Sequence, residues 1–358
     1  MVIDTDLTAS IAERVRVAAG AGTNLRIRGS GSKDFYGQIL KGDVLDMAPF
    51  AGVINYEPSE LVVTVRAGTP LAELEALLAT QGQCLPFEPP HFGSRATVGG
   101  MVASGLNGPA RSSAGAVRDF MLGVKLVNGK GEVLTFGGQV MKNVAGYDVS
   151  RLMAGSLGTL GILLEVSLKV LPVAPAERTL RFEMSEGEAL HQLNRWAGLP
   201  LPINASCWND GHLWVRLRGA KAAVSAALQR IGGELQDDRA PALWTSLREQ
   251  KHPFFELHSG ESLWRVSLPD TATPLGFGPT LIEWGGAQRW LKRPASDALA
   301  LRQAAADASG HATVFRSTDK TVLVFSPLKP PLDRIHRELK KQFDPAGVFN
   351  PGRMSADW

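Results

Sequence analysis

The run Ala96-Thr-Val-Gly-Gly-Met-Val-Ala-Ser-Gly-Leu-Asn-Gly108 sets glycines among small residues, a composition that lets a ligand lie against the backbone. Glycine has no Cβ, so Gly99, Gly100, Gly105 and Gly108 can take positive φ and leave amide donors open. Thr97 can cap a short helix beginning at Val98, and the N-terminus of such a helix offers donors and partial positive charge to a phosphate. A tight turn packed in a core accounts for the same residues. Gly29-Ser-Gly-Ser-Lys33 is a second candidate: it follows the strand-like Leu25-Arg-Ile-Arg28, and its amides and hydroxyls, flanked by Arg28 and Lys33, can hold a pyrophosphate. Asp34 stands where the third glycine of a G-x-G-x-x-G fingerprint belongs, and no Gly-Lys-Ser/Thr run occurs, so neither a dinucleotide fingerprint nor a Walker loop is present. A plain surface turn explains this stretch equally well. The third run, Gly155-Ser-Leu-Gly-Thr-Leu-Gly161, leads into Ile162 and an alternating pattern to Val170 that predicts a half-buried strand.

Other chemistry-bearing residues are sparse. Cys84 and Cys207 make neither a disulfide framework nor a metal-ligand set, and the histidines are scattered. His252, Glu256 and His258 are spaced to share a metal, but no third histidine is near in sequence, and surface histidines are the simpler reading, so no metal site is assigned. Lys142 and Tyr147 can reach a ligand in the glycine-rich region, or can be a solvated lysine and a packed tyrosine. His336, among Arg334, Arg337, Lys340 and Lys341, reads as part of a solvated helix face.

The elements that must hold these runs follow from periodicity. Ile11, Val15 and Ala18 predict a first helix over Thr8 to Ala19. Leu61 to Arg66 reads as a strand. Thr69 as cap and Pro70 in the first turn predict a helix with Leu71, Leu74, Leu77 and Leu78 as its core stripe. Val124 to Val127 and Glu132 to Thr135 flank Asn128-Gly129 as a hairpin. Beyond Pro172 and Pro175 the glycine clusters thin out. Strands and helices then alternate over Thr179 to Phe182, Ser185 to Trp196, His212 to Arg218, Ala220 to Ile231 and Ser262 to Leu268. A terminal helix is expected over Leu332 to Phe343. The fold class is α+β, divided as 1–172, 177–328 and 329–358, which suits a chain of 358 residues, beyond the size at which one core keeps growing.

Composition removes several function classes. Hydrophobic residues at 44% and charged residues at 20% describe a globular chain, and no apolar run is long enough to span a membrane. The N-terminal stretch carries acids and no secretory pattern, so the chain reads as cytoplasmic. A net charge of +3 with interspersed signs gives no basic stripe for nucleic acid.

The order of Arg28 to Lys33, Ala96 to Gly108, Gly146-Tyr-Asp148, Gly155 to Gly161 and Asp344 to Arg353 resembles the flavoproteins of the vanillyl-alcohol oxidase and p-cresol methylhydroxylase (PCMH-type) superfamily, over nearly the whole chain. Leu263-Trp-Arg-Val-Ser-Leu-Pro269 and Glu283-Trp-Gly-Gly-Ala-Gln-Arg-Trp290 are most similar to the E-subunit family of glycolate oxidase. The resemblance implies a two-subdomain FAD-binding domain, an α+β cap module, and a C-terminal tail that returns to the flavin. By position it assigns Arg28, Gly29, Ser30, Gly31, Ser32 and Lys33 to the pyrophosphate. Thr97, Val98, Gly99, Gly100, Ser104 and Gly105 would line the flavin and phosphates, and Gly158, Thr159, Gly161 and Ile162 the adenosine end. Asn350 would approach the isoalloxazine.

Two departures refine the expectation. The place of the histidine that links FAD covalently in some members holds Ser30-Gly-Ser-Lys33, so the FAD is expected to be non-covalent. Relatives that oxidise 2-hydroxy acids unaided carry a Gly-Asp-Gly-Asn-x-His segment that helps hold a metal, and this chain lacks it. The resemblance therefore implies a FAD-binding subunit of a glycolate-oxidising complex, partnered by a D-type flavoprotein subunit and an iron-sulfur subunit, with peripheral membrane association through those partners. A self-sufficient oxidoreductase of another hydroxy acid or alcohol, and a structural subunit with a vestigial flavin site, are the alternatives. Core packing explains most of the tryptophans at 208, 214, 244, 264, 284 and 290, and a subunit interface in the second module is the sharper reading of their density.

Overall fold

The computed structural model describes residues 2–138 and 148–357, so Lys142, Gly146 and Tyr147 lie outside the described residues. Helix α1 (Val2–Ala21) turns Ile11, Val15 and Ala18 inward and delivers the chain to β1 (Leu25–Arg28), which pairs in parallel with β2 (Asp43–Asp46). The chain next enters a five-stranded antiparallel sheet through β3 (Val53–Glu57) and β4 (Val62–Arg66). Outside the sheet come α2 (Leu71–Ala79), the short β5 (Gln83–Cys84), α3 (Val98–Ser104) and α4 (Arg111–Ala114). The sheet is completed by β6 (Met121–Val127), β7 (Val133–Gly137) and, after α5 (Val149–Leu152), β8 (Ile162–Lys169), in the order β3-β4-β8-β6-β7.

Leu71, Leu74 and Leu78 of α2 are fully buried, each burial stabilising by roughly 1.5–3 kcal/mol, while Leu77 is half-buried. Three local expectations are corrected. The helix cap is Pro70, without a side-chain bond, because the Thr69 hydroxyl is used by Gly52, accepting from its amide at 3.0 Å. The β6–β7 connection is longer than a two-residue turn: Asn128 Oδ1 accepts from the amides of Lys130 and Glu132, and Gly129 packs against Asp344. β8 is buried on both faces rather than one. Its Leu163, Val166 and Leu168 pack with α2 and α3, while Ile162 and Leu164 pack with α1, Val348 and Phe349.

After β9 (Leu171–Pro172) the chain leaves this sheet and builds an eight-stranded antiparallel one. Its first part is β10 (Ala176–Glu183), α6 (Glu186–Ala197), β11 (Ile203–Asn209), β12 (His212–Gly219), α7 (Lys221–Ile231), β13 (Glu234–Leu235) and α8 (Ala240–Arg248). The second part is β14 (Ser262–Ser267), β15 (Thr280–Glu283), β16 (Gln288–Arg293), α9 (Ala298–Asp307) and β17 (His311–Arg316), giving the order β13-β10-β12-β11-β15-β16-β14-β17. Ser185 caps α6 in a reciprocal capping box with Glu188. The tryptophans here are mainly core: Trp208, Trp244, Trp264 and Trp290 are buried, and Trp214 and Trp284 half-buried. The indole N–H groups of Trp208, Trp244, Trp264, Trp284 and Trp290 are spent internally, as from Trp244 to Thr179 Oγ1 and from Trp290 to Glu283, so these side chains do not form the exposed partner surface that their density suggested.

The two sheets are joined by charge and aromatic packing. Glu88 receives Arg216 at 2.7 and 2.8 Å and Arg218 at 3.1 Å, and Glu249 accepts from the amide of Phe92 at 2.9 Å. Phe35, Tyr36 and Phe92 stack against Phe315, which stacks on Trp290. Helix α10 (Leu332–Phe343) then leads the chain back to β1.

Candidate functional site

β1 is the hinge of the site. On one side it pairs with β2. On the other the tail acts as a third strand: the Leu25 amide donates to Val348 O at 2.8 Å, and the Asn350 amide to Leu25 O at 3.0 Å. Parallel strands leave a crevice at their carboxyl ends, and here Gly29 to Lys33 turns across it. The cleft so formed brings together Arg28, Gly29, Ser30, Gly31, Ser32 and Lys33 with Thr97, Gly100, Ser104 and Asn350. Residues 323 positions apart therefore meet: Asn350 Oδ1 accepts from the Ile27 amide at 2.9 Å, while its Nδ2 donates to Leu157 O at 2.7 Å. One side chain ties β1, the third glycine run and the tail together.

The remaining expected residues stand behind the cleft. Val98 is fully buried, and a Cβ on Gly99 would fall 2.8 Å from the Ala67 Cβ, so this glycine permits packing of α3 on the sheet. Gly105 closes α3 at φ 62° and abuts Gly155, where a Cβ would meet Cα at 2.8 Å. Gly158 backs onto Asn350. The Thr159 hydroxyl donates to Ser156 O at 2.7 Å, and Gly161 and Ile162 continue into the β8 core.

The cleft's open donors are not where the capped helix suggested. Thr97 does cap α3, its Oγ1 accepting from Gly100 N at 3.2 Å, but the Val98 and Gly99 amides donate to Thr69 O and Ala67 O at 2.9 and 2.7 Å. The bridge between Pro70 and Thr97 has drawn the first turn of α3 onto the chain itself. By contrast, the amides of Gly29, Ser30 and Gly31 have no acceptor among the described residues. Gly29 must lack a side chain, since a Cβ there would lie 2.3 Å from Thr97 Oγ1. Gly31 sits at φ 79°, in the left-handed region.

Around these amides the charge is mostly positive. Lys33 Nζ donates to His91 O at 3.1 Å, and burial pushes its pKa down to about 8, with Glu249 pulling the other way. Arg353 donates to Asp34 O at 2.9 Å and also reaches Gln38 O; burial lowers its pKa to about 10 despite Asp34 nearby. Arg26 and Arg28 flank the Asp34 carboxylate, and the Nε of each is buried without a hydrogen-bond acceptor. Such a collar can take a doubly charged anion. Arg26, Asp34 and Arg353 were missed by sequence reasoning. Alternation along β1 puts Arg26 on the same face as Arg28, a usable signal, whereas nothing local marks Arg353 as a cleft residue.

Lys340 corrects the expected solvated face. It is buried, and its Nζ donates to Thr159 O at 2.8 Å, Phe349 O at 3.1 Å and Asp344 Oδ2 at 2.6 Å. Asp344 in turn accepts from the Val348 and Phe349 amides at 3.0 and 2.8 Å, which fixes the tail beside β1.

A second cavity lies where the two sheets meet, lined by Asn107 and Gly108 from one side and Arg265, Glu283, Gln288 and Trp290 from the other. Its volume is about 20 Å³, space for about one water. Burial raises the Glu283 pKa to about 7 against the opposing bonds from Trp290 and Gln288. His252, Glu256 and His258 do not assemble: among the described residues no group of His, Cys, Asp and Glu is placed to hold a metal ion, and His252 Nδ1 accepts from Phe254 N at 3.3 Å. Among the described residues no helix is long and apolar enough to cross a membrane.

Residues 2–137 match the family model described as an FAD binding domain. The fold is similar to solved alkyldihydroxyacetonephosphate synthase, with a TM-score of 0.66, 16% identity, and coverage of 95% of this chain and 74% of that one. In sequence, 128 residues are 30% identical to glycolate oxidase subunit GlcD of Bacillus subtilis (strain 168), covering 36% of this chain and 27% of that one. Glycolate oxidase subunit GlcE of Escherichia coli (strain K12) is 49% identical over 358 residues, all of both chains. The chain belongs to the GlcE family of glycolate oxidase subunits, with a PCMH-type α+β fold.

Proposed function

We propose that this chain is the FAD-binding subunit of a glycolate oxidase complex, in which glycolate is oxidised to glyoxylate and electrons leave through partner subunits. The observation that carries the reading is the turn at Gly29 to Gly31, whose amides lack acceptors and which lies against the Arg28 guanidinium, whose buried Nε is in the same condition. Unpaired buried donors are costly, and a diphosphate satisfies several at once, so the residues fit the pyrophosphate of FAD.

In this reading the Gly29, Ser30 and Gly31 amides and the Ser30 and Ser32 hydroxyls donate to phosphate oxygens, while Arg28, Lys33 and Arg353 neutralise charge. Thr97, Gly100 and Ser104 form the opposite wall and Asn350 holds the tail against it. Val98, Gly99, Gly105, Gly158, Thr159, Gly161 and Ile162 support those walls from behind. Bound FAD supplies a two-electron acceptor. Among the described residues no histidine or cysteine lines the cleft, which supports non-covalent attachment.

Oxidising a 2-hydroxy acid also requires groups that hold its carboxylate and take its hydroxyl proton. This chain lacks the Gly-Asp-Gly-Asn-x-His segment that serves this purpose in relatives acting unaided, and this supports substrate oxidation on a D-type flavoprotein partner, with an iron-sulfur subunit carrying electrons onward. Peripheral membrane attachment would then come through the partners. Two measurements test the proposal: co-purification of the tagged chain from its host with flavin and iron analysis, and glycolate-dependent dye reduction by the chain alone and with its partners. Flavin in the purified chain and turnover confined to the assembled complex are expected. Turnover by the partner-free chain at the complex's rate would favour the self-sufficient enzyme, and a chain with no affinity for FAD the structural subunit.

A further inference from the structure

We infer that Asp34 sets how tightly the cleft holds its diphosphate ligand, by occupying the anion position itself until the ligand displaces it. This rests on the FAD reading above and goes beyond it by naming an internal competitor. Asp34 Oδ2 lies 2.5 Å from Arg26 Nη2 and 3.2 Å from Arg28 Nε. The Arg28 guanidinium is thereby folded over the turn: a Cβ on Gly31 would fall 2.3 Å from Arg28 Nη2. The arginine thus covers the segment whose amides lack acceptors, held there by a carboxylate.

The arrangement is incomplete in a way that a phosphate would complete. Although Asp34 is close enough to both arginines for charge attraction, Arg26 Nε and Arg28 Nε remain buried without an acceptor. One carboxylate oxygen is shared between two forks, whereas a diphosphate brings more oxygens and more charge. Asp34 also lines the cleft, where its carboxylate opposes an anionic ligand by like charge. Its side chain is about one-third exposed, so it can swing out when displaced. The competing role differs from a positioning role, in which Asp34 would aim the arginines at the phosphates and its loss would weaken binding.

The test is Asp34→Asn in the full chain stripped of flavin, titrated with FAD, ADP and riboflavin by calorimetry. Removing an exposed competing charge should tighten FAD and ADP roughly fivefold. Riboflavin, which has no phosphate, should be unchanged, and Arg28→Gln in the Asp34→Asn background should abolish the gain. Asp34→Ser serves as the second variant if the amide form melts below the parent, and the same gain is expected from it. FAD affinity that is equal or weaker in a folded Asp34 variant, while the parent chain binds FAD, would overturn the competitor role. So would an equal gain for riboflavin. A parent chain that binds neither FAD nor ADP overturns the underlying reading instead, so the two failures are distinguishable.

Discussion

Replacing Lys340 by methionine is expected to damage both the stability of the fold and its flavin site. The ammonium is one half of a buried pair: the Lys340 and Asp344 side chains are 6% and 0% exposed, and the 2.6 Å contact is backed by donation to Thr159 O and Phe349 O. Methionine keeps the length and removes the charge, which strands the Asp344 carboxylate. Breaking such a pair on one side costs roughly 3–5 kcal/mol. For 358 residues unfolding as one unit, an unfolding entropy of about 2.1 cal/mol/K per residue gives about 0.75 kcal/mol per kelvin, so Tm should fall by roughly 4–7 °C. Lys340→Met with Asp344→Leu, which removes both charges, should recover much of the loss. Thermal melts by circular dichroism on flavin-stripped protein provide the measurement. FAD affinity should fall as well, because Asp344 fixes the amides of Val348 and Phe349 just ahead of Asn350. A single variant melting within about 1 °C of the parent would show that the pair does not hold the tail, and the reasoning would fail.

Denaturing precipitation by acid or heat should release all flavin, and FAD at a hundred times its Kd should add about 2.7 kcal/mol of stability to stripped protein; flavin that stays in the pellet would contradict non-covalent binding. Gly29→Val should abolish FAD binding, since its Cβ would meet Thr97 Oγ1 at 2.3 Å, whereas Gly99→Val should lower Tm first through its contacts with Ala67; full flavin occupancy in Gly29→Val would count against the cleft. Lys33, depressed to about 8 from 10.5, lends the stripped fold stability that is present above 10.5 and is lost as pH falls through about 8. An anionic ligand favours its charged form, so FAD affinity should weaken as pH rises above about 8, by up to about tenfold per pH unit, and a profile that is flat in the parent and in Lys33→Met alike would remove Lys33 from the site.

Local pattern was enough for much of the frame. The helix at Leu332–Phe343 and the strand at Leu25–Arg28 have the bounds expected from periodicity, because each presents a clean apolar or alternating face. The cleft was legible in part, since a glycine turn after a strand announces itself. What was not legible depends on distant partners. Lys340 looks solvated among charged neighbours until Thr159, Asp344 and Phe349 surround it. The donors at α3 looked free until Ala67 and Thr69 took them. Strands β11, β15 and β17 were hidden because both faces are apolar and packed, Cys207, Leu281 and Phe315 on one side of the sheet and Trp208, Ile282 and Val314 on the other, which removes the alternation that marks a strand.

The pairing of β1 with the tail also orders the life of the molecule in time. β1 leaves the ribosome early, yet Asn350, which accepts from the Ile27 amide, is made 323 residues later. At 5–20 residues per second the first wall of the cleft waits roughly 16 to 65 seconds for the strand that closes it. During that interval β1 has its β2 partner, but Leu25 and Ile27 lack the neighbour that the tail supplies. With the proposed cleft as the flavin site, cofactor loading is expected to be a late event in biogenesis, following synthesis of residues 348–353. A ribosome-stalled chain ending before Val348 should emerge without flavin, however long it is held.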